Sequence, residues 1–185
     1  IGKFVHFVAR DAMNIVGMSE ATIEDFVSEG FVREFRDFYH LDDHKDRIIA
    51  LEGFGEKSYQ KMHESVEASR RTELSRVLYA VGIPNIGRTA ARTICAEFTT
   101  PEELEKLTVD ELTAIDGIGD ILAGEYVKFF ANETNLTEFR NLIAELEIIP
   151  PEQVNSDSGI AGKSFVITGP VHIWKNRNEL KAFIE

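Results

Sequence analysis

A single cysteine, Cys95, excludes both a disulfide framework and a zinc site built on cysteines. It lies in an apolar helical stretch with no basic neighbour closer than Arg92, which marks it as a buried, inert thiol. No apolar run reaches the roughly 18 residues of a membrane span, and nothing at the start reads as a signal peptide. A reducing, cytoplasmic setting is the simple reading. The opening Ile1-Gly2-Lys3-Phe4 has no Met, so the expectation is of an excised piece of a longer chain. His6, His40, His44, His63 and His172 show no repeated ligand spacing, and Asp42-Asp43-His44 reads as an acidic helix start rather than a metal site. Cations are scarce too: 20 Lys and Arg face 32 Asp and Glu, a net charge of −12. That shortage counts against nucleic acid, because phosphate affinity usually comes from Lys and Arg.

The shortage is uneven. Lys57, Lys61, Arg70, Arg71, Arg76, Arg88 and Arg92 form one mid-chain basic stretch, whereas the acids between residues 97 and 125 read as a solvated face. Up to about residue 147 the chain reads as short helices. Apolar residues recur at helical spacing in Phe4, Phe7, Val8 and Ala12, and in Ile23, Phe26 and Val27. The pattern returns in Val77, Leu78 and Val81, and in Tyr126, Val127 and Phe130. Gly30 and Gly82 sit where helix C-terminal caps belong. Thr100 with Glu103 and Thr108 with Glu111 read as capping boxes, and Asn135 is expected to open the last helix. The expected division is a helical domain over 1–147, a Pro- and Ser-containing linker over 148–161, and an incomplete α/β segment over 162–185. In that last segment Phe165 and Trp174 read as core residues of a domain that stops too early to bury a sheet.

The helical part repeats itself. Residues 49–58 align with 113–122, and residues 15–19 with 83–87, so each half holds two turns of the form apolar, any, Gly, apolar, Gly with a helix on either side. The first glycine supplies positive φ, and the central apolar residue (Met18, Phe54, Ile86 or Ile118) plugs the space between the helices. The second glycine leaves the amides opening the next helix uncovered, and with the helix dipole they suit a DNA phosphate. No side-chain charge is needed, which answers the objection from net charge. Contacts to phosphate read no sequence, so binding is expected to be sequence-independent.

The four copies differ. Gly53-Phe54-Gly55 and Gly117-Ile118-Gly119 are complete; Gly17-Met18-Ser19 has Ser at the second glycine and Asn85-Ile86-Gly87 has Asn at the first. Both replacements are tolerable, since Asn accepts left-handed backbone and Ser is a good N-cap. Lys57 after the second turn and Arg88 and Arg92 after the third suit phosphate, whereas Asp120 and Glu125 after the fourth repel it. The second and third turns therefore rank first and the fourth last. A glycine corner between helices can also be mere packing, but four copies with basic flanks on two favour DNA.

Residues 6–15, 51–58, 78–87 and 115–119 closely resemble the helix–hairpin–helix domain of bacterial NAD-dependent DNA ligases, and Gly162 to Gly169 followed by Arg177 looks like the opening of that family's BRCT domain. The resemblance implies an all-α, tandem double helix–hairpin–helix domain with four hairpins, then a linker and a truncated BRCT-like segment. It implies a parent enzyme that seals nicks in duplex DNA in replication and repair, with NAD, magnesium and zinc as cofactors of the full-length protein. Its adenylation domain, OB-fold and zinc finger would lie before Ile1, so this piece alone is expected to hold no cofactor, no metal and no catalytic residue. The implied partners are nicked duplex DNA, gripped at minor-groove phosphates, and other domains of the same ligase. A monomer in the bacterial cytoplasm, at the nucleoid and not on a membrane, is expected. The implied DNA-contacting residues are Gly17, Met18 and Ser19; Gly53, Phe54, Gly55, Glu56 and Lys57; Asn85, Ile86, Gly87, Arg88, Thr89 and Arg92; and Gly117, Ile118 and Gly119.

Three alternatives differ in kind. A helix–hairpin–helix glycosylase needs a catalytic Asp after a single hairpin, and the fourfold repeat argues against it. A junction-migration or excision-repair protein usually carries one hairpin pair and leaves the BRCT-like start unexplained. A protein-interaction scaffold that kept the fold and lost DNA binding fits the acidic surplus.

Overall fold

Stop and start signals recur so often that no helix exceeds the 14 residues of Glu56–Ser69 among the described residues. The computed structural model describes residues 1–150; the expected linker beyond Pro150 and the BRCT-like opening, with Phe165, His172 and Trp174, lie outside the described residues. The elements run α1 (Gly2–Val8), α2 (Glu20–Ser28), a 3-10 segment (Phe35–His44), α3 (Lys45–Ile49), α4 (Glu56–Ser69), β1 (Arg71–Glu73) and α5 (Leu74–Ala80). Then follow α6 (Arg88–Glu97), α7 (Pro101–Leu104), α8 (Val109–Thr113), α9 (Asp120–Ala131), α10 (Glu133–Ala144) and β2 (Glu147–Ile149).

The caps explain the boundaries. Thr100 and Thr108 each accept from the backbone N–H three residues on, while Glu103 and Glu111 reach back to the cap, so both capping boxes form. Gly30 and Gly82 take φ of +72° and +74° just past Glu29 and Val81, the C-caps of α2 and α5. One expected cap is displaced. Asn132, not Asn135, opens α10, its Oδ1 accepting from Thr134 N at 3.0 Å and Asn135 N at 3.1 Å. Asn135 lies inside the first turn and its Nδ2 donates to Phe129 O. A second correction concerns Ala12, which is fully buried but lies beyond the end of α1 at Val8. Its position on the helical period was a coincidence of burial. Asp42 and Asp43 likewise close the 3-10 segment instead of opening a helix.

The apolar stripes meet in one continuous core. Phe7 of α1 lies 4.8 Å from Phe35 and 5.5 Å from Phe38 between ring centroids, and Phe4 packs edge-on to the same two rings. At the other end Phe130 sits 5.0 Å from Tyr126 and 5.1 Å from Phe139. Edge-to-face pairs of this kind add about 0.5–1.5 kcal/mol beyond the area they bury.

The helical unit is not purely α. β1 and β2 pair in parallel, with Arg71 opposite Glu147, Thr72 opposite Ile148 and Glu73 opposite Ile149. The boundary drawn at residue 147 therefore falls inside a strand. Pro150 and Pro151 suggested a linker, but the β-branched Ile148 and Ile149 before them are extended and paired. Arg70 reinforces the junction. Its Nη1 donates to the Glu145 carboxylate at 3.1 Å, its Nη2 to Tyr39 O at 2.9 Å and its Nε to Glu67.

Candidate nucleic-acid interface

Four inter-helical turns share one backbone course. Gly17, Gly53, Asn85 and Gly117 take φ of +94°, +77°, +64° and +84°, and the residue two further on is extended in each: Ser19, Gly55, Gly87 and Gly119. That extended residue's carbonyl closes the first turn of the next helix, accepting from Ile23, Tyr59, Ala91 and Ala123 at 2.9–3.0 Å. The helices start at the offsets read from the sequence, α4 and α9 being 64 residues apart and α2 and α6 being 68 apart. Ile86 and Ile118 are buried as plugs, while Met18 and Phe54 are half-buried against the core.

The first turn departs from the others. In turns two to four the plug's N–H bonds back to Leu51, Ile83 or Ile115 at 3.0–3.1 Å. In turn one the backbone is instead docked on α4, with Val16 N donating to Ser65 Oγ at 2.7 Å. A helix was expected directly before every turn, but α1 ends at Val8 and an irregular stretch intervenes, so turn one is the exception. That stretch is held by backbone bonds of its own, Ala12 N to Ala9 O, Met13 N to Phe7 O and Ile15 N to Val8 O, and by the burial of Ala12 and Ile15.

The turns also differ in what covers the helix start. Ser19 Oγ accepts from Thr22 N at 3.1 Å, so one amide of α2 is already satisfied. Gly55, Gly87 and Gly119 cannot cap, and α4, α6 and α9 have no side-chain cap. A Cβ built at any of these three glycines meets nothing within 4 Å, and their φ values are open to any residue. Neither internal packing nor backbone geometry demands glycine there. What glycine provides is free access to three uncovered helix starts.

Residues 76–138, which contain the third and fourth turns, match the family described as the helix-hairpin-helix motif. Over 186 aligned residues the chain is 41% identical to the DNA ligase of Ruminiclostridium cellulolyticum and 41% identical to that of Lachnoclostridium phytofermentans, in both cases covering 100% of this chain. It is 39% identical over 188 residues to the DNA ligase of Bacillus subtilis, covering 98% of this chain. Along its whole length the chain is thus similar to a part of these DNA ligases, and over residues 76–138 to the helix-hairpin-helix motif. It spans 28% of the length of each of these ligases.

In this ligase-related region the predicted cations separate into two groups. Lys57, Lys61 and Arg92 are exposed and have no charge partner among the described residues. Arg88 is exposed and pairs with Asp11 at 2.9 Å. The others are turned to structure: Arg70 as above, Arg71 toward Glu147 at 3.7 Å, and Arg76 onto the carbonyls of Arg10 and Ala12. The mid-chain basic stretch is therefore not one patch. Arg70 and Arg76 satisfy backbone carbonyls, most of them half-buried, a use that linear charge density does not reveal.

Glu56, the first residue of α4, bridges to Lys45 at 2.9 Å, and the ammonium also lies over the Tyr59 ring. This offsets one of the two acids that flank the second turn; the other, Glu52, is exposed. Thr89 is exposed in the first turn of α6, its carbonyl accepting from Thr93. The fourth turn lines an open concavity from Thr113 to Gly119, with Asp116 and Asp120 exposed and Ile121 75% exposed. Glu125 is half-buried on the same helix. Asp11 and Lys45 were missed by the sequence reading; nothing local signals a partner 77 residues away, as Asp11 is from Arg88.

The remaining reactive groups are held in structural contacts. His6 Nε2 lies 2.8 Å from Tyr79 O, His40 pairs with Glu145, and His63 lies 3.1 Å from Asp42, which also accepts from the Tyr59 hydroxyl. Among the described residues no group of three or more His, Cys, Asp or Glu is arranged to hold a metal ion. Cys95 is buried in α6, and burial pushes its thiol up to about 12, far from the thiolate that reactivity needs. No helix among the described residues is long and apolar enough to cross a membrane.

Proposed function

We propose that this chain binds duplex DNA irrespective of base sequence, as a non-catalytic part of an NAD-dependent DNA ligase that seals nicks in replication and repair. The observation that carries the reading is the set of three helix starts, after Gly55, Gly87 and Gly119, left uncapped and open to approach. Phosphate oxygens would accept from the first-turn amides, and the helix dipole would favour the negative charge. Lys57 and Arg92 add unpartnered cations at the second and third turns. In this reading the four turns form two tandem helix–hairpin–helix pairs, and the site comprises the turn residues named from the sequence. Turn two and turn three dominate. Turn one is weakened by the Ser19 cap and turn four by Asp116 and Asp120.

The duplex would be held along its minor-groove phosphates, so that a nick stays registered while other domains carry out the chemistry. On sequence alone, the segment after Pro150 is proposed as a linker and residues 162–185 as the opening of a BRCT-like domain. A monomer acting in the bacterial cytoplasm completes the proposal.

Fluorescence anisotropy on nicked and intact duplexes of two unrelated sequences, at low and moderate salt, tests it. The expected result is weak binding, on the order of 10⁻⁴ to 10⁻⁶ M, equal for the two sequences and falling with salt. Charge reversal of Lys57 and Arg92 together should weaken it further. Absence of binding at low salt, or binding untouched by that reversal, supports the interaction-scaffold reading instead.

A further inference from the structure

The loop after α1 reaches the third turn at Asp11, and one arginine grips it on either side of that residue. Arg76 of α5 donates from Nε to Ala12 O at 2.9 Å and from Nη2 to Arg10 O at 3.0 Å. Its guanidinium thus straddles Asp11 and pins the backbone on both sides. Ala12 and Met13 are buried beyond it, so residue 11 is held at the surface with its carboxylate outward. That carboxylate receives Nη1 of Arg88 at 2.9 Å. Arg88 opens α6, directly after Gly87 and beside the uncovered amides of the third turn. Its Nε and Nη2 have no partner among the described residues.

We infer that Asp11 is a positioning residue for phosphate binding at the third turn: it holds Arg88 by one nitrogen and leaves the Nε–Nη2 edge aimed outward for a two-point grip on a phosphate. The inference rests on the DNA-binding reading above. The physical case is entropic and geometric. A free arginine must freeze several torsions to present its fork, and one already tethered at Nη1 loses less on binding. An arginine edge meets a phosphate through two parallel N–H···O bonds, a grip that a lysine cannot reproduce. Arg76 extends the chain of support, since it fixes the loop that fixes Asp11.

The sign of the effect makes the test sharp. Removing an acid near DNA should by simple electrostatics tighten binding. If Asp11 positions Arg88, removing it loosens binding instead. The experiment compares the full 185-residue chain with Asp11→Asn, Asp11→Glu, Arg88→Ala and the Asp11→Asn/Arg88→Ala double variant, by duplex-DNA anisotropy and by thermal unfolding. The expected result is a loss of roughly two- to five-fold for Asp11→Asn, the range available to an exposed ion pair. Asp11→Glu should recover part of it. The loss should vanish in the Arg88→Ala background, while all variants unfold with the same midpoint to within about 2 °C.

Tighter or unchanged binding by Asp11→Asn, with the wild type binding normally, overturns the inference and makes Asp11 a competitor or a bystander. A loss that persists without Arg88, or that tracks a fallen unfolding midpoint, overturns it too. Absence of binding by the wild type removes the DNA reading and this inference with it, an outcome distinct from the other two.

Discussion

Asn85 stands in the third turn with φ +64°, 68 positions after Gly17 with φ +94°. A residue with a Cβ thus occupies the left-handed position that the other three turns give to glycine. Asparagine tolerates it because its short amide can hydrogen-bond locally, and the site is exposed. Asn85→Gly should leave stability within about 0.5 kcal/mol, whereas Asn85→Val should cost about 1–2 kcal/mol. Urea unfolding of the two variants measures the difference, and equal midpoints would show that this turn does not need positive φ.

At Gly87 folding and the proposed DNA binding are expected to part. Its backbone is ordinary and a Cβ there meets nothing, so in Gly87→Ala the stiffer unfolded chain opposes alanine's weakness as an N-cap and stability should change by no more than about 1 kcal/mol. The methyl group would nonetheless stand in front of the first amides of α6. Anisotropy should show weaker DNA binding from a protein that stays fully folded at the assay temperature. Loss of both together would mean that the glycine is structural.

Arg70 should behave as a fold residue despite lying in the basic stretch. It joins Tyr39, Glu67 and Glu145 through charge-assisted hydrogen bonds and lies 4.8 Å above the Tyr39 ring. Arg70→Ala is expected to cost about 1.5–3 kcal/mol in chemical unfolding while leaving the salt dependence of DNA binding unchanged. A shallower salt slope with intact stability would place Arg70 on DNA instead.

The two capping boxes give a pH signature. The Thr100 side-chain and backbone bonds hold the Glu103 carboxyl below the usual glutamate value, and the Thr108 backbone and side-chain bonds do the same for Glu111. A carboxyl with a depressed folded-state pKa contributes stability above its unfolded pKa, and that contribution is lost as pH falls through the folded value. Stability should therefore decline below about pH 4.5, the ordinary value from which both groups are lowered. In the Glu103→Gln/Glu111→Gln variant this part of the decline should flatten, since glutamine keeps an acceptor but does not titrate. Parallel thermal-melt curves for variant and wild type between pH 3 and 6 would refute the assignment.

Legibility followed the distance over which each feature is encoded. The four turns and the boxes at Thr100 and Thr108 were legible because each is written within a few consecutive residues and repeats at fixed offsets. Ser19 was legible as a cap, although not the consequence that its hydroxyl occupies an amide of the first turn. The pairing of Arg71 to Glu73 with Glu147 to Ile149 left no local trace, and two following prolines disguised the second strand as linker. Arg70 and Arg76 counted toward a basic stretch because sequence reports charge but not which carbonyls need a donor. Ala12 misled for the opposite reason: it is buried as the helical period predicts, but in a loop.

The parallel pairing of β1 with β2 also decides where mechanical load enters this unit. A pull on the chain beyond Pro150 does not begin by peeling α10 from the end. It first meets the short strand paired with Arg71 to Glu73 and the Arg70–Glu145 clasp beside it. Force is thereby delivered to the seam between α4 and α5, between the second turn and the third. A tug from whatever follows would be felt first midway along the chain, between the two turns ranked highest for DNA.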